Sequence, residues 1–162
     1  MSRRARIRMT EAEAAAFLDG QRTVVCATIG PDGWPHLMPL WYVLREAGDA
    51  PSPQLWSWTY AASQKVKNLE RDPRATLQVE TGERYDQLRG LMLKADVVVH
   101  RAEADVAALG MEIFTRYAGG EAGELPDEVR EMVRAQAPKR VGLQFVERER
   151  ASWDHGKLGG AY

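Results

Sequence analysis

The chain has 162 residues and a formal net charge of −1, enough for one domain with a sizeable core and without the basic excess of a general nucleic-acid binder. The basic head "MSRRARIRM" lacks the apolar run of a signal peptide, and no segment approaches the roughly 18 apolar residues of a membrane span. These exclusions leave the expectation of a soluble, cytoplasmic protein folded as a single domain over residues 1–162, with neither nucleic acid nor membrane as partner.

In chain order, "TEAEAAAFLDG" predicts a first helix, with Thr10 as N-cap, Glu13 completing a capping box and Gly20 as the stop. Next come "RTVVCATIG" and "WPHLMPLWYVL", two β-rich runs separated by Pro31-Asp32-Gly33, a turn whose glycine supplies positive φ, so an antiparallel hairpin is expected. The single cysteine, Cys26, lies inside the first run; it has no intrachain disulfide partner and reads as a small core residue. "REAGDAPSP" reads as a polar loop. A third strand, "QLWSWTY", alternates large rings with smaller residues, and Ser63 is placed to cap the short helix that follows. Asp72-Pro73 breaks the chain before the strand "RATLQVE", and "LRGLMLKADVVVHR" is long enough for a bent barrel strand through Gly90. "ADVAALGMEIFTRYAGG" and "PDEVREMVRAQ" predict two helices, the second opened by Pro126, and "KRVGLQFVERE" a last strand. The tail "RASWDHGKLGGAY" has no helical or strand period. Six strands with inserted helices predict a mainly β fold, a small closed or nearly closed antiparallel barrel, because closure removes exposed sheet edges.

The junction after "QLWSWTY" carries the chemistry. A serine at a helix start offers a hydroxyl beside outward-pointing amides, and the helix dipole favours negative charge there. Lys65 and Lys67 add two cations in the first turn, in a chain with only 5 lysines against 17 arginines; flexible ammonium groups at such a place suit a phosphate. An ordinary solvated first turn capped by Ser63 would look the same by spacing. His36, His100 and His155 show no metal-ligand spacing, so no metal site is expected, and neither a Ser–His–Asp order nor paired carboxylates stand out.

The run Tyr60-x-x-Ser63-x-Lys65-x-x-x-Leu69-x-x-Asp72-Pro73-x-Ala75-x-Leu77 resembles the phosphate-binding signature of the pyridoxamine 5′-phosphate oxidase-like superfamily, the flavin-binding split β-barrels. The order of elements agrees along nearly the whole chain. The resemblance implies a six-stranded antiparallel split β-barrel of the FMN-binding type. It also implies a homodimer holding FMN, or its deazaflavin analogue F-420, between subunits. By the same resemblance Ser63 and Lys65, with Lys67 beside them, contact the cofactor phosphate. Pro39, Leu40, Trp41 and Tyr42 would pass along the isoalloxazine ring, and Trp58, Thr59 and Tyr60 would line the neighbouring strand. For the tryptophans a core role is the alternative reading, since alternation sends neighbours to opposite faces. Trp153, His155 and Lys157 in the tail would cross to close the groove of the other subunit; docking of the tail by Trp153 alone is the alternative.

The chain departs from authentic pyridoxamine phosphate oxidases in lacking their Arg-rich strand ahead of this junction and their carboxy-terminal Arg-Leu-His segment. The resemblance therefore points to the flavin- and deazaflavin-dependent reductases, oxidoreductases that transfer hydride between bound FMN or F-420 and a small unsaturated organic substrate. Tyr42, Tyr60 and His155 are the candidate proton donors. The alternatives are a non-catalytic flavin-binding protein and a haem-binding split barrel with His36 or His155 on the iron.

Overall fold

The computed structural model describes residues 2–46, 48, 52–118 and 124–159. Seven strands form one antiparallel sheet: β1 (Val24–Ile29), β2 (Pro35–Leu40), β3 (Val43–Arg45), β4 (Gln54–Tyr60), β5 (Arg74–Thr81), β6 (Arg89–His100) and β7 (Arg140–Asp154), in the spatial order β2-β1-β5-β6-β7-β4-β3. The helices are α1 (Arg3–Arg6), α2 (Glu11–Gly20), α3 (Gln64–Arg71), α4 (Glu103–Ala118) and α5 (Asp127–Gln136). None of the described helices is long and apolar enough to cross a membrane.

The expected hairpin forms, with Gly33 at φ 82° in its turn and β1 antiparallel to β2. The segment expected as one long strand over "WPHLMPLWYVL" is instead two, β2 and β3, broken at Trp41 and Tyr42. That break is the closure device. β2 and β3 are the two ends of the sheet yet adjacent in the chain, so the sheet curls back on itself and seven strands replace the expected six.

The break is pinned by hydrogen bonds. The wholly buried Tyr42 donates its hydroxyl to Leu18 O at 2.5 Å, and Ser57 Oγ donates to Trp41 O at 2.6 Å. Arg116, from α4, donates to Tyr42 O at 3.0 Å and also to Asp19 O at 2.7 Å and Gln21 O at 3.0 Å. α2 has no basic residue in its last turn, so this distant arginine satisfies carbonyls that a helix end leaves open. At its other end the predicted capping box of Thr10 and Glu13 is present.

Two apolar clusters follow from strand alternation. One set of faces, with Val24, Cys26, Leu77, Leu91, Leu143 and Phe145, fills the barrel interior together with Phe17 and Leu18 of α2 and Val66 and Leu69 of α3. The opposite face of β3 and β4, through Val43 and Trp58, packs under α4 and α5 against Val106, Leu109, Ile113 and Val133. Cys26 is the core residue expected, and burial pushes its thiol pKa up to about 12.

The tail differs from its expectation. β7 continues to Asp154 and is followed by a 3-10 turn over His155–Leu158. The strand period was hidden there because Arg150 and Asp154 lie in ion pairs with Glu147 and Arg89 rather than alternating with apolar residues. Of the expected polar loop over 45–53, residues 47 and 49–51 lie outside the described residues, as do Gly119 and Gly120 and the tail beyond residue 159.

Candidate cofactor site

At the end of β4 the chain turns through Ala61, Ala62 and Ser63 into α3, and Ser63 N donates to Tyr60 O at 3.0 Å. Ser63 occupies the N-cap position with extended backbone, but its hydroxyl caps no amide. The expected capping bond is therefore absent: Ser63 Oγ is buried with no hydrogen-bond partner among the described residues. The amides of Val66 and Lys67 bond Ser63 O, which leaves those of Gln64 and Lys65 without an intrahelical acceptor. A donor hydroxyl and two amides are thus gathered at the positive end of a helix dipole.

Lys65 is only 8% exposed. Its Nζ donates to Thr59 Oγ1 at 3.0 Å, and no carboxylate among the described residues pairs with it. Burial lowers its pKa; the Cys26 thiol partly offsets this, and the positive charge of Arg140 adds to it. A desolvated ammonium held by one hydroxyl is costly unless an anion compensates it. Lys67 is exposed on the same helix.

Two groups that the sequence did not single out complete the corner. Asn68 is fully buried on the inner side of α3; its Nδ2 donates to Thr28 Oγ1 at 3.0 Å, and its Oδ1 accepts from Gln64 Nε2 at 2.9 Å. These bonds fix the helix start against β1. The available signal was a polar residue three positions after Lys65, sharing its buried face with Val66 and Leu69. Arg140, first residue of β7, lies directly opposite Tyr60 in the β4–β7 register. Its guanidinium carbon is 4.0 Å from the Tyr60 ring centroid and 4.3 Å from that of Trp58. No local pattern pointed to it, since its partner strand is 80 residues away in the chain.

The structure gathers Tyr60, Ser63, Lys65 and Thr59 in one place, with Lys67 exposed on the same helix and the Trp58 ring against Arg140, and holds the remaining expected site residues elsewhere. Tyr42 is corrected: its side chain is core, its hydroxyl is spent on Leu18 O, and burial pushes its pKa up to about 12, so it is no proton donor to a groove. Leu40 is buried in the barrel interior. Trp58 is sealed beneath α4, edge-on to Phe114 at 5.9 Å. Neither presents a free side-chain face, and only their backbone is left for a ligand. Trp41 remains 47% exposed but stacks on Tyr117 at 4.5 Å, on the α4 side. Pro39 lies opposite Val25 on the exposed face of the hairpin.

The tail residues sit at the far end of β7 from Arg140 and dock on their own chain. Trp153 covers Gly90, where any Cβ would collide with the indole. His155 bonds Tyr85 O through Nδ1 at 3.0 Å, and Lys157 Nζ donates to Glu13 Oε2 at 2.6 Å and Arg8 O at 2.9 Å. Within one chain these residues do not meet Ser63. Of the other histidines, His100 is hydrogen-bonded to Gln144, and His36 Nδ1 is buried without a partner among the described residues. No group of three metal-ligating side chains occurs among the described residues.

The sequence model of the pyridoxamine 5′-phosphate oxidase family matches residues 10–153. The chain belongs to this family. The antiparallel sheet with inserted helices is accordingly its split-barrel fold. A conserved hypothetical protein of Mycobacterium tuberculosis, Rv2991, is 40% identical over 100% of this chain and 95% of its own, with a TM-score of 0.84. A protein named F420 reductase is 19% identical over 88% of this chain and 98% of its own, TM-score 0.64. HutZ, described as a haem storage protein of Vibrio cholerae, is 14% identical over 88% and 94%, TM-score 0.65. At such identities the last two share the fold with this oxidase-family chain and nothing finer. No curated protein matches the chain.

Proposed function

We propose that the chain is an oxidoreductase that binds FMN or the deazaflavin F-420 and transfers hydride to a small unsaturated organic substrate. The observation that carries this reading is the corner itself. An almost fully buried Lys65 ammonium stands with the Ser63 hydroxyl at the amino end of α3, the first without a carboxylate partner and the second without a hydrogen-bond partner among the described residues. That donor set suits a phosphate ester. The membership of this chain in the pyridoxamine 5′-phosphate oxidase family and the name of the F420 reductase that shares its fold both support the same class of coenzyme.

When bound, either coenzyme supplies the hydride chemistry, and the protein's part is binding, orientation and control of protons. Ser63, Lys65 and the first amides of α3 would hold the phosphate, with Thr59 keeping the Lys65 ammonium in position. Tyr60, 51% exposed beside the corner, is the remaining tyrosine candidate for delivering a proton to the reduced substrate; His155 would do so only from a second subunit.

A homodimer with the coenzyme between subunits is part of the proposal. The outer face of the hairpin supports it: the register places Val25 opposite Pro39, Ala27 opposite Leu37 and Ile29 opposite Pro35, with Leu37 56% and nearby Trp34 74% exposed. A contiguous apolar face of this kind marks an interaction surface.

Titrating the purified protein with FMN, riboflavin and F-420 tests the reading. Tight binding of a phosphorylated coenzyme, followed by oxidation of its reduced form on adding an acceptor, is the expected result. Absence of binding for both coenzymes would sink the proposal, and binding without turnover would reduce it to storage or sensing.

A further inference from the structure

We infer that Arg140 is a second cationic contact for the phosphate ester at this corner, held by aromatic rings so that its hydrogen-bonding edges stay available to an anion. The inference rests on the coenzyme reading above and adds to it a residue on a different strand. Three observations converge. First, backbone geometry fixes the place: Arg140 is paired with Tyr60, Ala61 N donates to Lys139 O at 3.0 Å, and Ser63 N donates to Tyr60 O at 3.0 Å, so the start of β7 is tied to the turn that carries Ser63. Second, the guanidinium lies on Tyr60 at 4.0 Å and Trp58 at 4.3 Å. Ring faces hold a cation without using its N–H groups. Third, a guanidinium has five N–H donors, yet none meets an acceptor among the described residues, and Nε is buried without a partner.

An arginine serving structure alone would be expected to end on a carboxylate or carbonyl, as Arg116 does on the α2 carbonyls and Arg45 on Glu112. Arg140 instead adds a second positive charge near Lys65, close enough to help lower the Lys65 pKa. Repulsion between like charges is relieved when an anion lies against both.

The test compares each coenzyme with its phosphate-free form: FMN with riboflavin, and F-420 with its deazaflavin ribitol chromophore. Wild-type protein, Arg140→Gln and Arg140→Lys are titrated by fluorescence at several salt concentrations, with circular dichroism as the fold control. Arg140→Gln is expected to weaken the phosphorylated form by about tenfold or more, the size of one lost charge-assisted bond. It should leave the phosphate-free form within about twofold and flatten the salt dependence. Arg140→Lys should fall between the two. Equal weakening of both forms by Arg140→Gln and Arg140→Lys would show that the residue only supports the fold, and no weakening of either would equally overturn the inference. A wild-type protein that does not prefer phosphorylated forms overturns the phosphate reading, and Arg140's role with it; preference kept in Arg140→Gln overturns Arg140's role alone.

Discussion

Lys65 combines a low exposure with a single hydroxyl partner, and its depressed pKa has two consequences of opposite sign. In the coenzyme-free protein the unfolded chain holds the lysine proton more tightly than the native one does. Between the lowered pKa and the ordinary lysine value, stability therefore rises with pH. A phosphate favours the charged form, so binding takes up protons and weakens as pH rises through the lowered value. Lys65→Met removes both effects. Its expected outcome is a loss of about 1.5–3 kcal/mol in affinity for the phosphorylated coenzyme, with the coenzyme-free protein no less stable by thermal melting. A Kd unchanged in Lys65→Met would disprove the assignment. Tyr60→Phe should leave affinity near the wild-type value and slow turnover, since the ring that carries Arg140 is kept and the hydroxyl is not; equal turnover would remove Tyr60 from consideration.

Elements are joined by contacts whose failure has a visible signature. The turn after β7 is stapled to the start of α2 by Lys157 and Glu13, and the Lys157 hydrogen bond, followed by the Thr10 amide, pulls the Glu13 pKa down to about 2. A carboxylate with a depressed folded pKa stabilises above its ordinary range, and the contribution disappears as pH falls through the folded value. Protection against hydrogen exchange at Asp154 and His155, whose amides bond Ile7 O and Leu88 O, should fall, relative to the intrinsic rate at each pH, on acidification towards pH 2, or at neutral pH in Glu13→Gln. Unaltered exchange in that variant would show the staple to be idle. Where β6 meets β7, the Trp153 ring lies over Gly90. Gly90→Ala forces the indole or the strand aside and should cost about 1–3 kcal/mol in denaturant unfolding; a Trp153→Ala background should recover part of that loss, because the indole is gone while the Val79 carbonyl oxygen, 2.9 Å from the added Cβ, still crowds it.

For the whole molecule, the exposed Val25, Ile29 and Leu37 on one face of the hairpin lead to the expectation of a dimer. Leu37→Glu should convert it to monomer in sedimentation velocity without unfolding it, and should weaken coenzyme binding if the groove lies between subunits. A monomeric wild-type protein would end that part of the proposal. Local pattern by itself determined the capping box of α2, the hairpin at Gly33 and the helix start at Ser63, since each is set by residues within a few positions of one another. It also placed Lys65, but not its burial, nor the missing cap at Ser63. Only tertiary structure decided that the segment over 35–45 breaks at Trp41 to bring the sheet edges together, and that Tyr42 turns inward onto α2. The same holds for β7 running on to Asp154 and for Arg140 arriving beside Tyr60. These features depend on strand pairing and on hydrogen bonds between groups far apart in the chain, and no short-range periodicity carries that information.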